Sequence, residues 1–178
     1  DILFANEHEL AALTGLDASN NQLTSLDVSK NTLLLSLDAS NNQLTSLDVS
    51  NNTLLTQLYV SGNPLSALDL TGLNSLAVLG IAETGQSLTG INLANPGNLT
   101  SLELDSTQLT QENFSALTSL LSLHIYDSKA TALSLPANTT LPAGRITNLT
   151  ITAPLAASLD FSAYAPSLTY LAIKPGRL

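Results

Sequence analysis

Three segments of this chain repeat in phase, and that repeat constrains its fold more than any other feature. Leu16-Asp-Ala18-Ser-Asn-Asn21-Gln-Leu23 returns as Leu37-Asp-Ala39-Ser-Asn-Asn42-Gln-Leu44 and as Leu58-Tyr-Val60-Ser-Gly-Asn63-Pro-Leu65, a period of 21 residues. The same frame continues at Leu79/Ile81, Leu102/Leu104, Leu123/Ile125, Leu149/Ile151 and Leu171/Ile173, giving eight ranks spaced 21, 21, 21, 23, 21, 26 and 22. A period of this length is the mark of stacked units that each bury their apolar residues against the next. The longer intervals have local causes, because the extra residues fall at Gly85-Gln-Ser87 and around Pro136–Gly144, both turn-forming stretches.

Composition supports stacking. Leu occurs 40 times, against 3 Phe, 4 Tyr and no Trp or Met. One repeated side chain fills identical layers well and an irregular globule poorly. Within each rank the L-x-L/I/V core reads as a short strand with its apolar residues inward and the others outward, and successive ranks form a parallel sheet. Asn21, Asn42 and Asn63, five positions after the first Leu, are expected to turn inward. There they would satisfy loop backbone groups that are otherwise buried unpaired, which makes them scaffold.

The pattern L-x-x-L-x-L-x-x-N-x-L, in phase over roughly residues 13–178, resembles the bacterial leucine-rich-repeat family, including internalin-like surface proteins. Leu26-Asp-Val28-Ser-Lys-Asn31 and Leu47-Asp-Val49-Ser-Asn-Asn52 nest a second motif on the return path, which looks like the 21-residue subclass. The resemblance implies an α/β-type repeat solenoid: a right-handed horseshoe with a parallel concave sheet and a convex side of irregular or short-strand segments with few helices. After Leu73 the second Asn is lost and the nested form loosens. Thr110–Leu117 could make one helical turn there, with Thr110 as its N-cap. Asp27, Asp48 and Asp69 form a convex column expected to accept loop N–H groups.

Two segments are expected: residues 1–15 as an N-terminal cap, and residues 16–178 as the repeat domain. The cap reads as a short helix opened by the capping-box-like Asn6-Glu-His-Glu9 and closed by Gly15. The chain stops at the seventh-position Leu of the eighth rank, Leu178, and contains no Met, so a longer parent protein is expected.

Net charge is −9, with 14 acidic against 5 basic residues, so nucleic acid is not an expected partner. Residues 1–90 hold nine acids and Lys30 (−8); residues 91–178 hold five acids and four bases (−1). No stretch approaches the roughly 20 apolar residues of a membrane span. The chain has no Cys, so disulfides and thiolate metal sites are excluded, and no cofactor motif or metal-binding loop is present.

Candidate functional residues lie on the outward strand positions. Parallel strands stand about 4.8 Å apart, which should set Glu103 beside His124 and Asp105 beside Tyr126, with Asp127 just beyond. A carboxylate next to an imidazole is raw material for a general base. An open sheet face, however, supplies neither a pocket nor oxyanion stabilisation, and a calcium site from Glu103, Asp105 and Asp127 lacks its loop. Binding suits the same groups better, so Tyr59, Glu103, Asp105, His124, Tyr126 and Asp127 form the expected contact patch for a protein or peptide ligand. The family resemblance places such a non-catalytic module outside the cell or at its surface. A glycan ligand is the less favoured variant, with few aromatic platforms beyond Tyr59, Tyr126 and Tyr170. A spacer or accessory role in a larger secreted enzyme or adhesin is the alternative.

Overall fold

The computed structural model describes residues 11–82, 90–92, 98–105, 119–126, 147–153 and 168–175. They belong to two compact units, Asp1–Asn95 and Pro96–Leu178. In the first unit β1 (Gly15–Asp17), β2 (Ser36–Asp38), β3 (Gln57–Tyr59) and β5 (Val78–Gly80) form a parallel sheet in chain order. Its register aligns Leu16, Leu37, Leu58 and Leu79, the frame set by the 21-residue period. In the second unit β7 (Ser101–Asp105), β8 (Ser122–Tyr126), β9 (Asn148–Ala153) and β10 (Tyr170–Pro175) do the same. Leu102, Leu123, Leu149 and Leu171 line up there, as do Leu104, Ile125, Ile151 and Ile173. The 26-residue interval between Leu123 and Leu149 therefore changes no strand register. The turns expected to absorb the extra residues lie outside the described residues, as does Thr110–Leu117.

The inward Leu column is the core. Leu37, Leu58, Leu79 and Leu123 are completely buried, as are Leu34, Leu44, Leu55 and Leu65 on the loop and return segments. Each such side chain contributes about 1.5–3 kcal/mol through burial. Backbone bonding continues past the strand ends. Ala18, Ala39 and Val60 donate N–H to Asp38, Tyr59 and Gly80 one rank on, at 2.7–2.8 Å. At the strand entrances Leu35 O accepts N–H from both Thr56 and Gln57, and the Thr56 hydroxyl donates to the same oxygen at 2.9 Å. Thr147 and Thr169 repeat this arrangement in the second unit.

The return side departs from the nested reading. Leu26–Val28 and Leu47–Val49 are not strands, whereas β4 (Ala67–Asp69) pairs in parallel with β6 (Gly90–Asn92). Asn52 Nδ2 donates to Val28 O at 3.0 Å and Asn31 O at 2.8 Å, so a side-chain amide bridges those two coils. The position equivalent to Asn52 one period on is Leu73, which has no amide to give, and β4 and β6 join through backbone. Among the described residues there is no α-helix. Gly15 opens β1, and Ala11–Ala12 form a turn before it; the rest of the expected cap helix lies outside the described residues.

Candidate binding face

The outward positions flank each inward Leu and, because register is exact, they form rows across the strands. In the first unit one row runs Asp17, Asp38, Tyr59, Gly80 and another Gly15, Ser36, Gln57, Val78. Tyr59 is half-buried between Asp38 and Gly80. The two acids of that row are occupied by their own loops. Asp17 Oδ1 accepts the Ser19 hydroxyl at 2.7 Å and the Ser19 N–H at 3.0 Å, and Asp38 Oδ1 accepts the Ser40 N–H at 2.9 Å. The Ser19 hydroxyl, with its N–H second, holds the Asp17 carboxyl below the ordinary carboxylate range.

Three rows cross the second unit: Ser101, Ser122, Asn148, Tyr170; then Glu103, His124, Thr150, Ala172; then Asp105, Tyr126, Thr152, Lys174. The register thus brings Glu103 beside His124 and Asp105 beside Tyr126, while Asp127 lies outside the described residues and Tyr59 belongs to the first unit. Glu103, His124, Thr150 and Ala172 are all half-buried. Burial pushes the Glu103 carboxyl above its ordinary range. The middle row loses charge and bulk from β7 to β10, ending on two small side chains. It offers a carboxylate, an imidazole and a hydroxyl in line, a hydrogen-bonding strip on a sheet face.

Of the three asparagines expected to turn inward, Asn42 and Asn63 do and Asn21 does not. Asn42 and Asn63 are 7% and 1% exposed. Asn42 Oδ1 accepts the Leu23 N–H at 3.0 Å while its Nδ2 donates to Ala18 O at 2.9 Å and Ala39 O at 3.0 Å. Asn63 repeats this one rank later with Leu44, Ala39 and Val60. Asn21 is exposed and bonds within its own loop, to Ala18 O and Ser19 O.

Sequence reasoning missed that Asn52 is as structural as these: it is fully buried. The signal was present, since Leu47-Asp-Val-Ser-Asn-Asn52 copies the strand-side motif. The return-side acids also act locally. Asp27, Asp48 and Asp69 accept the N–H of Ser29, Ser50 and Thr71 at 2.9 Å each. Those bonds hold all three carboxyls low, through the hydroxyl first for Asp48 and Asp69 and the N–H first for Asp27.

No family model matches the sequence, and no curated protein matches it either. Solved structures do. The functional domain of InlJ from Listeria monocytogenes, described as including a cysteine ladder, matches with TM-score 0.54 and 23% identity over 92% of this chain. An internalin, InlF, from the same organism matches with TM-score 0.58 and 19% identity over 97%, and internalin C2 with 0.53 and 20% over 95%. This chain spans 44% of the InlJ chain, 57% of the InlF chain and 84% of the internalin C2 chain. These likenesses show the fold, a leucine-rich-repeat solenoid.

Proposed function

We propose that this chain is a non-catalytic binding module of an exported or cell-surface bacterial protein, recognising a protein or peptide on the concave face of its sheet. The observation that carries the reading is the row Glu103, His124, Thr150, Ala172, whose half-buried side chains stand side by side on rigid strands. Strands hold such groups in place before a partner arrives, which lowers the ordering cost of association. The residues proposed for contact are Tyr59 in the first unit and Glu103, Asp105, His124, Tyr126 and Asp127 in the second. Amphipathic aromatics supply contact area and the carboxylates orientation. The likeness to internalin structures supports display outside the cell. A glycan is the less favoured ligand, because the middle row carries no aromatic platform.

A pull-down from host and bacterial surface extracts tests the reading, using the full chain beside a Tyr59→Ala/Tyr126→Ala variant. The wild type is expected to retain a partner that the variant loses. Equal recovery by both contradicts the concave assignment.

One observation favours a spacer role for the first unit taken alone. Its outward acids are bonded to their own loops, and Gly80 and Ala82 are small and buried, leaving Tyr59 as its principal contact residue.

A further inference from the structure

Resting on that binding reading, we infer that Glu103 anchors a basic side chain, arginine before lysine, of the protein partner. The distinction among acids is the starting point. The carboxylate side chains described are Asp17, Asp27, Asp38, Asp48, Asp69 and Glu103. Each Asp accepts the N–H of the residue two positions on, in an Asp-x-Ser/Thr turn. These acids are exposed or at a loop edge, and local bonds explain them fully.

Glu103 differs in each respect. It stands mid-strand in β7, half-buried, and among the described residues it has neither a hydrogen-bond partner nor an ion pair. Burial raises its carboxyl above the ordinary range. A partly desolvated carboxylate without a partner opposes folding, and one cation on a binding partner offsets that penalty.

The neighbours select the kind of cation. Among the described residues no group of three His, Cys, Asp or Glu side chains could hold a metal ion. A sugar hydroxyl can donate to the carboxylate but brings no opposite charge to offset the partly desolvated one. A guanidinium presents two parallel N–H groups to a carboxylate, and it is less strongly hydrated than an ammonium. Beyond Glu103 the row falls from His124 to Thr150 and Ala172. The residues flanking the basic one can therefore cross the strands without meeting bulk.

The test selects a random linear-peptide library against the full chain and measures the synthesised binders on wild type, Glu103→Gln, His124→Ala and Asp48→Asn. Asp48→Asn removes one charge from the return side while keeping a side chain suited to the same turn. The expected binders carry Arg or Lys, and Glu103→Gln weakens them on the order of tenfold or more. Replacing the peptide's Arg by uncharged citrulline costs as much, and the two changes together cost little extra. Asp48→Asn has no comparable effect.

Binders that need His124 but tolerate Glu103→Gln overturn this inference and leave the binding reading standing. Equal losses from Glu103→Gln and Asp48→Asn reduce it to diffuse attraction and overturn it too. Failure to select any binder, or binders indifferent to both Glu103 and His124, contradicts the concave binding reading itself.

Discussion

Leu44 donates its backbone N–H to Asn63 Oδ1 at 3.0 Å, across 19 residues of sequence. The same amide sends its Nδ2 to Ala39 O and Val60 O, both at 2.9 Å, so one buried side chain stitches two coils together. Removing it strands a donor and two acceptors where water does not reach. Asn63→Ala is expected to lower unfolding free energy by about 2–3 kcal/mol, and Asn42→Ala by a similar amount. Asn21→Ala, at an exposed position bonded within its own loop, is expected to cost less than about 1 kcal/mol. Urea denaturation measures the gradient, and three equal losses would contradict the ladder.

Asn52 provides a sharper comparison. It is buried, its Nδ2 is fully used, and its Oδ1 has no hydrogen-bond partner. Replacement by Leu, the residue at the equivalent position 73, gives up two donated bonds but also removes an unpaired buried oxygen. Asn52→Leu is expected to cost about 1–2 kcal/mol, less than Asn63→Leu measured the same way. A larger loss at Asn52 would show that its oxygen is bonded.

Gly62 has φ 69° and lies against Asn41, whose Oδ1 occupies the space a Cβ would need. Gly72 has φ 88° but nothing near its missing Cβ. Alanine at Gly72 therefore costs the left-handed backbone alone, about 1 kcal/mol, while alanine at Gly62 adds a steric term. Asn41→Gly should recover that added term in the Gly62→Ala background and not in Gly72→Ala. Thermal unfolding of the double-mutant set checks it.

The titrating groups act in opposite directions. Asp17, Asp27, Asp48 and Asp69 have folded pKa values below their ordinary 3.8. Their stabilisation is complete above that value and is lost as pH falls through the lower folded values. Glu103 lies above its ordinary 4.5 in the folded chain. Its charge therefore opposes folding above the folded value, and the penalty has gone below 4.5. Denaturation across this range should find Glu103→Gln more stable than wild type at neutral pH, with the difference closing on acidification. A variant less stable at neutral pH would mean that Glu103 is paired.

The strand register was legible because a two-residue L-x-L rule and a strict period leave no freedom. Leu37, Leu58 and Leu79 meet as the count requires, and Leu149 reaches Leu123 despite the insertion between them. The row Glu103, His124, Thr150 follows from that register alone. The return side was less legible, because residues 25–27 and 67–69 carry nearly the same letters, yet only the second segment is a strand. Asn52 joins the first two return coils, its amide bonding across 24 residues to Val28, a contact the letters do not reveal. That Glu103 has no partner among the described residues was also hidden, since a sequence places neighbours in register without fixing which side chains bond.

The central claim is a division of labour: inward Leu and Asn hold the coils, and outward residues of β7 to β9 bind. Scanning every position for binding to a recovered partner, alongside stability of the same variants, tests this most directly. Losses of binding without loss of stability are predicted to concentrate at Glu103, His124 and Thr150, while changes at Asn42, Asn63 and Leu123 lower stability. Binding losses concentrated instead at Asp27, Asp48 and Asp69, with Glu103 and His124 freely replaceable, would contradict it.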